Sequence, residues 1–557
     1  MRSHVASITY ARFCPTIRFR TVHFGTKGTN MRGARMNRYR DNEPMIRANS
    51  PSQQKALRVF EEFLQAPDIR VMIVTGQAGT GKTELIAEMV RRSRELQRPV
   101  HLMAPTGQAA RRLAKRCDHD ASTVHATIFT HVGPRVTELN EAPQEVFTLK
   151  DALSHSDDAL FVVDEASFIS NRDIPVEDRS RLEMVFGTTN LLHDILEYIS
   201  AGRRQIVFVG DPYQLPPIGL DHAPALLQSN FDQLNIASIH VRLTEMQRRD
   251  ETSPITHLGQ QLVESIEIDD RKFIEFPAES RDVLSEITHW DETDAIFREI
   301  FHGGAVAVAY RHVTIAHLNR RIRLTNGISS VSPVQGDRLL LAAPLLEPFV
   351  PNGDEITVTS ISDSPVVIRE QLLLDGESID FELHLSEIEA TVDNGHGLNS
   401  PISTLLVSNH CNSLNQQTLN LIRKALWIDF VKRMSREDIS RTSSEFWPRY
   451  QSDSRIHSLR ATYSYARTIH KSQGGEWPIV LADFAGLNGK SNSDKRLIYT
   501  AVTRTKETFY AIRWPYSNRD IDLDGYARKC AEDLEREFGA VCEVKEIQSG
   551  RQITNNL

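Results

Sequence analysis

The chain has 557 residues, 40% apolar and 25% charged, with a formal net charge of −8. At about 150 residues per domain that length allows three or four domains, with a composition ordinary for a globular protein. No run reaches the ~18 uninterrupted apolar residues of a membrane span, and five scattered cysteines (Cys14, Cys117, Cys411, Cys530, Cys542) exclude a disulfide framework or a CxxC zinc site.

Residues 1–49 form the first segment. Residues 1–40 hold nine Lys or Arg and no acid, without helical periodicity, which predicts a disordered basic leader. Three readings stay open: a nucleic-acid-touching tail, an organelle transit peptide, or an extension upstream of a later start at Met31, Met36 or Met45. Acidity of the remainder does not exclude nucleic acid, because a strand groove needs only a local basic lining. Cytoplasmic residence is otherwise expected.

From Ser50 onward, strand-like runs alternate with helical patterns, which predicts α/β domains with parallel sheets. The run Val71-Met72-Ile73-Val74 reads as a buried strand and leads into Gly76-Gln77-Ala78-Gly79-Thr80-Gly81-Lys82-Thr83, a complete GxxxxGK[ST] phosphate loop. Gly76, Gly79 and Gly81 let the backbone curl its N–H groups, with that of Thr80, toward an anion, and the following helix adds its positive end. Lys82 is placed for the β- and γ-phosphates and the Thr83 hydroxyl for Mg²⁺, which predicts a nucleoside triphosphate as ligand. Two further buried strands end in acid, before Asp164-Glu165 and before Gly210-Asp211. Asp164 is expected to hold Mg²⁺ and Glu165 to orient and deprotonate the attacking water. In Gly210-Asp211-Pro212-Tyr213-Gln214-Leu215-Pro216-Pro217, Gln214 has an amide able to report on the third phosphate. The arginines at 91–94 and 111–116 read as solvated helix faces.

GQAGTGKT, VVDEAS and GDPYQLPP, in this order, resemble motifs I, II and III of superfamily 1 helicases of the RecD-like and Dda-like branch. Ser52-Gln53-Gln54 resembles the Q motif, implying that Gln53 reads adenine. Ala104-Pro105-Thr106-Gly107 resembles motif Ia, placing Pro105 and Thr106 at a strand phosphate, and Thr123-Val124-His125 resembles a strand-side element with His125. Leu243-Thr244-Glu245-Met246-Gln247-Arg248 is similar to motif IV, with Arg248 facing the γ-phosphate. Thr468-Ile469-His470-Lys471-Ser472-Gln473-Gly474-Gly475-Glu476 is similar to motif V: Thr468, His470 and Ser472 by the strand, Gly474 and Glu476 toward the nucleotide. Tyr499-Thr500-Ala501-Val502-Thr503-Arg504 resembles motif VI, with Arg504 as a second arginine finger.

The resemblance implies two RecA-like P-loop NTPase motor domains with a β-rich insertion in the second. The expected segments are 50–235 (first motor domain, small insertion at 128–158), 236–335 and 453–545 (second motor domain), 336–452 (insertion) and 546–557 (tail). An extra helix pair is expected between Ser167 and Gln205, with Leu191–Leu196 as its apolar core. The implied activity is ATP-driven 5′-to-3′ movement on single-stranded DNA with unwinding at duplex junctions; protein partners in repair, recombination or defence are conceivable. An RNA or nucleoprotein remodelling ATPase and a nucleotide-dependent scaffold are the alternatives.

Overall fold

The computed structural model describes residues 50–515, apart from 137–140, 176–178, 180–181, 248–252, 278–282, 288–289, 346–349, 375, 394–398 and 413–414. The basic leader, the tail and Arg248 therefore lie outside the described residues.

Helix α1 (Pro51–Gln65) shows how local sequence sets local structure. The Ser50 hydroxyl accepts from the Gln53 N–H and the Gln53 side chain accepts from the Ser50 N–H, a reciprocal capping box, with Pro51 in the first turn. Its stripe of Ala56, Leu57, Phe60 and Phe63 is buried against the first sheet, and Phe60→Ala would cost about 3–5 kcal/mol.

That sheet has six parallel strands: β1 (Val71–Gly76), β2 (Val100–Ala104), β3 (Ala121–Thr123), β6 (Leu160–Val163), β8 (Gln205–Gly210) and β9 (Ser238–Leu243), in the order β3-β2-β6-β8-β1-β9. The central strands are apolar throughout and buried on both faces, as helix-covered parallel strands must be. Helices α2 (Lys82–Glu95) and α3 (Gly107–Cys117) follow β1 and β2. β9 corrects the expected boundary at 235: its polar–apolar alternation suits an edge strand, and it pairs with β1. Nearby, β4 (Phe129–Arg135), β5 (Gln144–Leu149) and β7 (Met184–Phe186) make a small sheet, so the insertion on this domain extends beyond 158. Of the expected helix pair between Ser167 and Gln205, the α-helix Leu191–Ile199 is present beside β7, and residues 176–178 and 180–181 lie outside the described residues.

A second parallel sheet comprises β10 (Leu284–Ile287), β11 (Ala305–Ala309), β18 (Ala466–Thr468), β19 (Trp477–Asp483) and β20 (Thr505–Ile512), ordered β10-β20-β19-β11-β18. It is interrupted by an antiparallel sheet of β12 (Arg338–Leu341), β13 (Glu355–Ile361), β14 (Val366–Leu374), β15 (Glu377–Asp393), β16 (Asn399–Val407) and β17 (Ala461–Tyr463). β17 pairs with β12, so this sheet closes at 463 rather than 452. The helix Gln416–Arg436 packs against it. Leu339, Ile356 and Ile388 of the insertion share one apolar cluster with Ala305, Ala307 and Leu481 of the second parallel sheet. No helix among the described residues is long and apolar enough to cross a membrane.

Candidate nucleotide site and strand-contact face

The sequence motifs fall at the carboxyl ends of parallel strands, where open α/β sheets present their loops. β1 ends in the phosphate loop. Gly81 is the N-cap of α2 at φ +78°, a backbone state that L side chains rarely adopt. Lys82 Nζ donates to the carbonyls of Gly76 (2.9 Å) and Gln77 (3.0 Å), so the ammonium is held inside the loop. Thr80 Oγ1 donates to Gln77 O at 2.8 Å. Thr83 follows Lys82 in the first turn of α2. Gln53 is buried and donates to Gly81 O at 3.1 Å, so it ties α1 to the loop. The N–H of Gln247, beside the undescribed Arg248, donates to Gly79 O at 2.7 Å.

β6 delivers Asp164 and Glu165, both buried. Asp164 accepts from the Glu165 N–H at 2.9 Å. Burial first, then the neighbouring Glu165 charge, pushes its carboxyl up to about 6, with Arg112 and Lys82 opposing. Two crowded carboxylates are hard oxygen donors that a divalent cation would relieve, and a threonine hydroxyl is a donor of the same kind, so Asp164 and Thr83 are of the right chemistry for Mg²⁺. Glu165 sits at φ +51°, and its Oε2 makes no hydrogen bond among the described residues.

β8 delivers Asp211, which is fully buried and accepts from the Tyr213 N–H (3.0 Å) and the Tyr499 hydroxyl (2.8 Å). Gln214 Nε2 lies 3.4 Å from Asp211 Oδ2, and Gln214 Oε1 is a buried acceptor with no hydrogen bond among the described residues. The second parallel sheet meets this loop through the helix Asn492–Val502. The Ala78 N–H of the phosphate loop donates to the Tyr499 hydroxyl at 3.1 Å, and the Leu215 N–H donates to Thr500 Oγ1 at 3.2 Å. Gln473 Nε2 reaches Leu215 O at 3.2 Å. Arg504 is buried in the same seam, donating to Thr500 O (3.1 Å) and Gly475 O (3.3 Å); burial lowers its pKa, and the charges of Glu165, Glu476 and Asp211 oppose that. Lys82, Asp164, Glu165, Gln214 and Arg504 are thus brought to one seam.

The residues expected at a strand share a local device. Thr123 and Thr468 each end a parallel strand and Thr106 stands two residues past one, and each caps the next helix: Oγ1 accepts from Ala109 N (3.2 Å), Ala126 N (3.1 Å) and Lys471 N (3.0 Å). A capping hydroxyl still has its own proton to donate outward. Pro105, beside Thr106, is half-buried. His125 stacks among Phe129 and Phe186, with ring centroids 5.7 and 4.6 Å away, and burial pulls its pKa down to about 4. His470 is also lowered by burial, then by His312. Ser472 departs from expectation: it is fully buried and donates to Ile469 O at 2.7 Å, so its hydroxyl faces the domain interior.

Gly474 and Glu476 lie beside the acid pair. They face α3: at φ +75° Gly474 packs on Ala109, and Glu476 lies 3.4 Å from the Arg112 guanidinium, which is 3.5 Å from Glu165. The reading of arginines 111–116 as solvated is therefore corrected. Arg111 makes a two-pronged pair with the buried Asp354 (2.5 and 2.9 Å), Arg112 bridges two site carboxylates, and Arg116 pairs with Glu84 at 2.7 Å. Arg91 and Arg92 do lie on the outer face of α2, paired with Glu61, Glu88 and Glu95. Arg112, Asp211 and Tyr499 were missed as site residues; adjacency to motifs Ia, III and VI was the available signal.

Residues 49–175 match the family described as an AAA domain, and residues 463–512 match the UvrD-like helicase C-terminal domain. The chain is 24% identical over 449 residues to the ATP-dependent RecD2 DNA helicase of Deinococcus radiodurans, covering 79% of this chain and 47% of that protein. It is 28% identical over 156 residues to the ATP-dependent DNA helicase Pif1 of a Psychrobacter species, covering 27% of this chain and 20% of that one. The chain thus spans about half or less of the length of these curated relatives. Among solved structures it is similar to Pif1 from Bacteroides in complex with ADP-AlF3 and ssDNA, at 14% identity and TM-score 0.39, covering 88% and 98% of the two chains. The AAA match takes in the phosphate loop and the Asp164-Glu165 pair, and the helicase C-terminal match takes in the segment from Thr468 to Arg504.

Proposed function

We propose that this chain is an ATP-driven helicase of the RecD-like and Dda-like branch, moving 5′-to-3′ along single-stranded DNA and opening duplex junctions. The two parallel sheets are read as a pair of RecA-like lobes, 50–243 and 254–515, the second interrupted by the antiparallel insertion at 336–463. The observation that carries the reading is the seam itself. Phosphate-loop, acid-pair and Gln214 groups come from one lobe and Tyr499, Thr500 and Arg504 from the other, joined by the Ala78–Tyr499 and Leu215–Thr500 hydrogen bonds.

In this mechanism the loop N–H groups and Lys82 bind the triphosphate. Thr83 and Asp164 would hold Mg²⁺, which when bound neutralises charge on the β- and γ-oxygens. Glu165 accepts the proton of the attacking water and Gln214 orients it. Arg504 turns from its carbonyl partners toward the developing charge as the lobes close; arginine fingers generally contribute ~10³–10⁵ in rate. Closure also moves the Thr106 and His125 face relative to the Thr468 and His470 face, so a strand held by both is advanced.

The test is ATP turnover with oligo(dT) and oligo(U), followed by unwinding of forks with a 5′ or a 3′ tail. Turnover should rise with oligo(dT), and the 5′-tailed fork should open. Failure of both oligomers to raise turnover removes the motor reading.

A further inference from the structure

We propose that Arg112 is a positioning residue that carries strand occupancy to the catalytic carboxylate, an inference resting on the helicase reading above. Helix α3 begins at the Thr106 cap, the strand-side group, and continues through Ala109 to Arg112. These residues stand three apart and so share one helix face. That face meets Gly474 and Glu476 of the second lobe, while Arg111, on another face, pairs with Asp354 of its insertion. Gly474 lies so close that a Cβ there would stand 3.0 Å from the Ala109 Cβ and 3.8 Å from Thr106 Oγ1. One turn further, the guanidinium of Arg112 stands 3.4 Å from Glu476 of the second lobe and 3.5 Å from Glu165.

Arg112 Nη1 and Glu165 Oε2 are buried and make no hydrogen bond among the described residues. The ion pairs are therefore longer than fully formed charge-assisted bonds, which run about 2.7–2.9 Å. A small displacement of α3 along its axis tightens or loosens the grip on Glu165. A strand phosphate on the Thr106 hydroxyl pulls at one end of this helix while Gly474 and Glu476 brace its side. Arg112 thereby fixes the direction in which Glu165 points, and the bridge to Glu476 makes that direction depend on how the two lobes are set.

The experiment compares the parent with Arg112→Ala, Arg112→Lys, Glu476→Gln and the Arg112→Ala/Glu476→Gln double variant. It measures kcat and KM for ATP with and without saturating oligo(dT), and oligo(dT) affinity by fluorescence anisotropy. Arg112→Ala is expected to reduce the ratio of stimulated to unstimulated kcat at least fivefold, with KM and strand affinity within twofold of the parent. Arg112→Lys should restore part of the ratio, and the double variant should lose no more than the worse single variant. A ratio within twofold of the parent in Arg112→Ala, or a loss matched by equal loss of ATP or strand binding, overturns the proposal while leaving the helicase reading intact. A parent with no stimulation overturns both.

Discussion

Glu165 and Lys82 belong to the part of the site that short contiguous strings encode, each beginning where an apolar run stops. Glu165→Gln is expected to lower strand-stimulated kcat by about 10²–10⁴ with KM little changed, the range for a lost general base; steady-state kinetics check it. Lys82→Ala should abolish turnover through lost triphosphate binding, seen as lost retention of a fluorescent ATP analogue. Tyr499 heads the motif VI string, but its role arises from Ala78 and Asp211, both more than 280 positions away in the chain. Tyr499→Phe strips a partner from a half-buried N–H and a buried carboxylate, a loss of about 1–3 kcal/mol, visible as a lowered urea midpoint. Histidines supply a pH signature. Burial holds both His101 and His125 down to about 4 against an ordinary 6.5. Between those values the unfolded chain binds more protons than the folded one, so stability falls as pH drops from about 6.5 toward 4. Thermal unfolding across that window should show the decline, and His125→Asn should flatten it.

At the scale of elements, the alternation of apolar runs with helical stripes was enough to read both parallel sheets. Their limits were not, since an alternating edge strand such as β9 carries the same pattern whether it closes one sheet or opens another. The closing strand β17 is three residues long and pairs with β12 more than 100 positions earlier, so no local period marks it. The arginine-rich α3 failed to read as functional for a similar reason: its partners Asp354, Glu165 and Glu476 come from three other segments. Gly474→Ala tests the packing of that helix. A side chain at φ +75° costs about 1–2 kcal/mol and would crowd Ala109 at 3.0 Å. Strand stimulation of turnover should fall several-fold in the variant, while ATP affinity measured without a strand stays near that of the parent.

For the molecule as a whole, a net charge of −8 confines strand binding to local cation-bearing and hydrogen-bonding faces. Affinity for oligo(dT) should therefore fall with salt, log K against log[salt] sloping at about −0.7 per phosphate neutralised; anisotropy titrations between 50 and 200 mM, roughly the range over which such losses are read, measure it. The second lobe and its insertion are fastened by Arg323 and Asp337, a buried pair at 2.9 Å with a second contact at 3.1 Å. Asp337→Ala leaves that guanidinium uncompensated and should cost about 3–5 kcal/mol, read as a lower unfolding midpoint. Because Leu339, Ile356 and Ile388 dissolve into the same apolar cluster as Ala305 and Leu481, the insertion has no bearing on which to swivel. It is welded to the host sheet at its base, and a fragment cut out at 336–463 would come away with Leu339, Ile356 and Ile388 stripped of the cluster they share with Ala305 and Leu481.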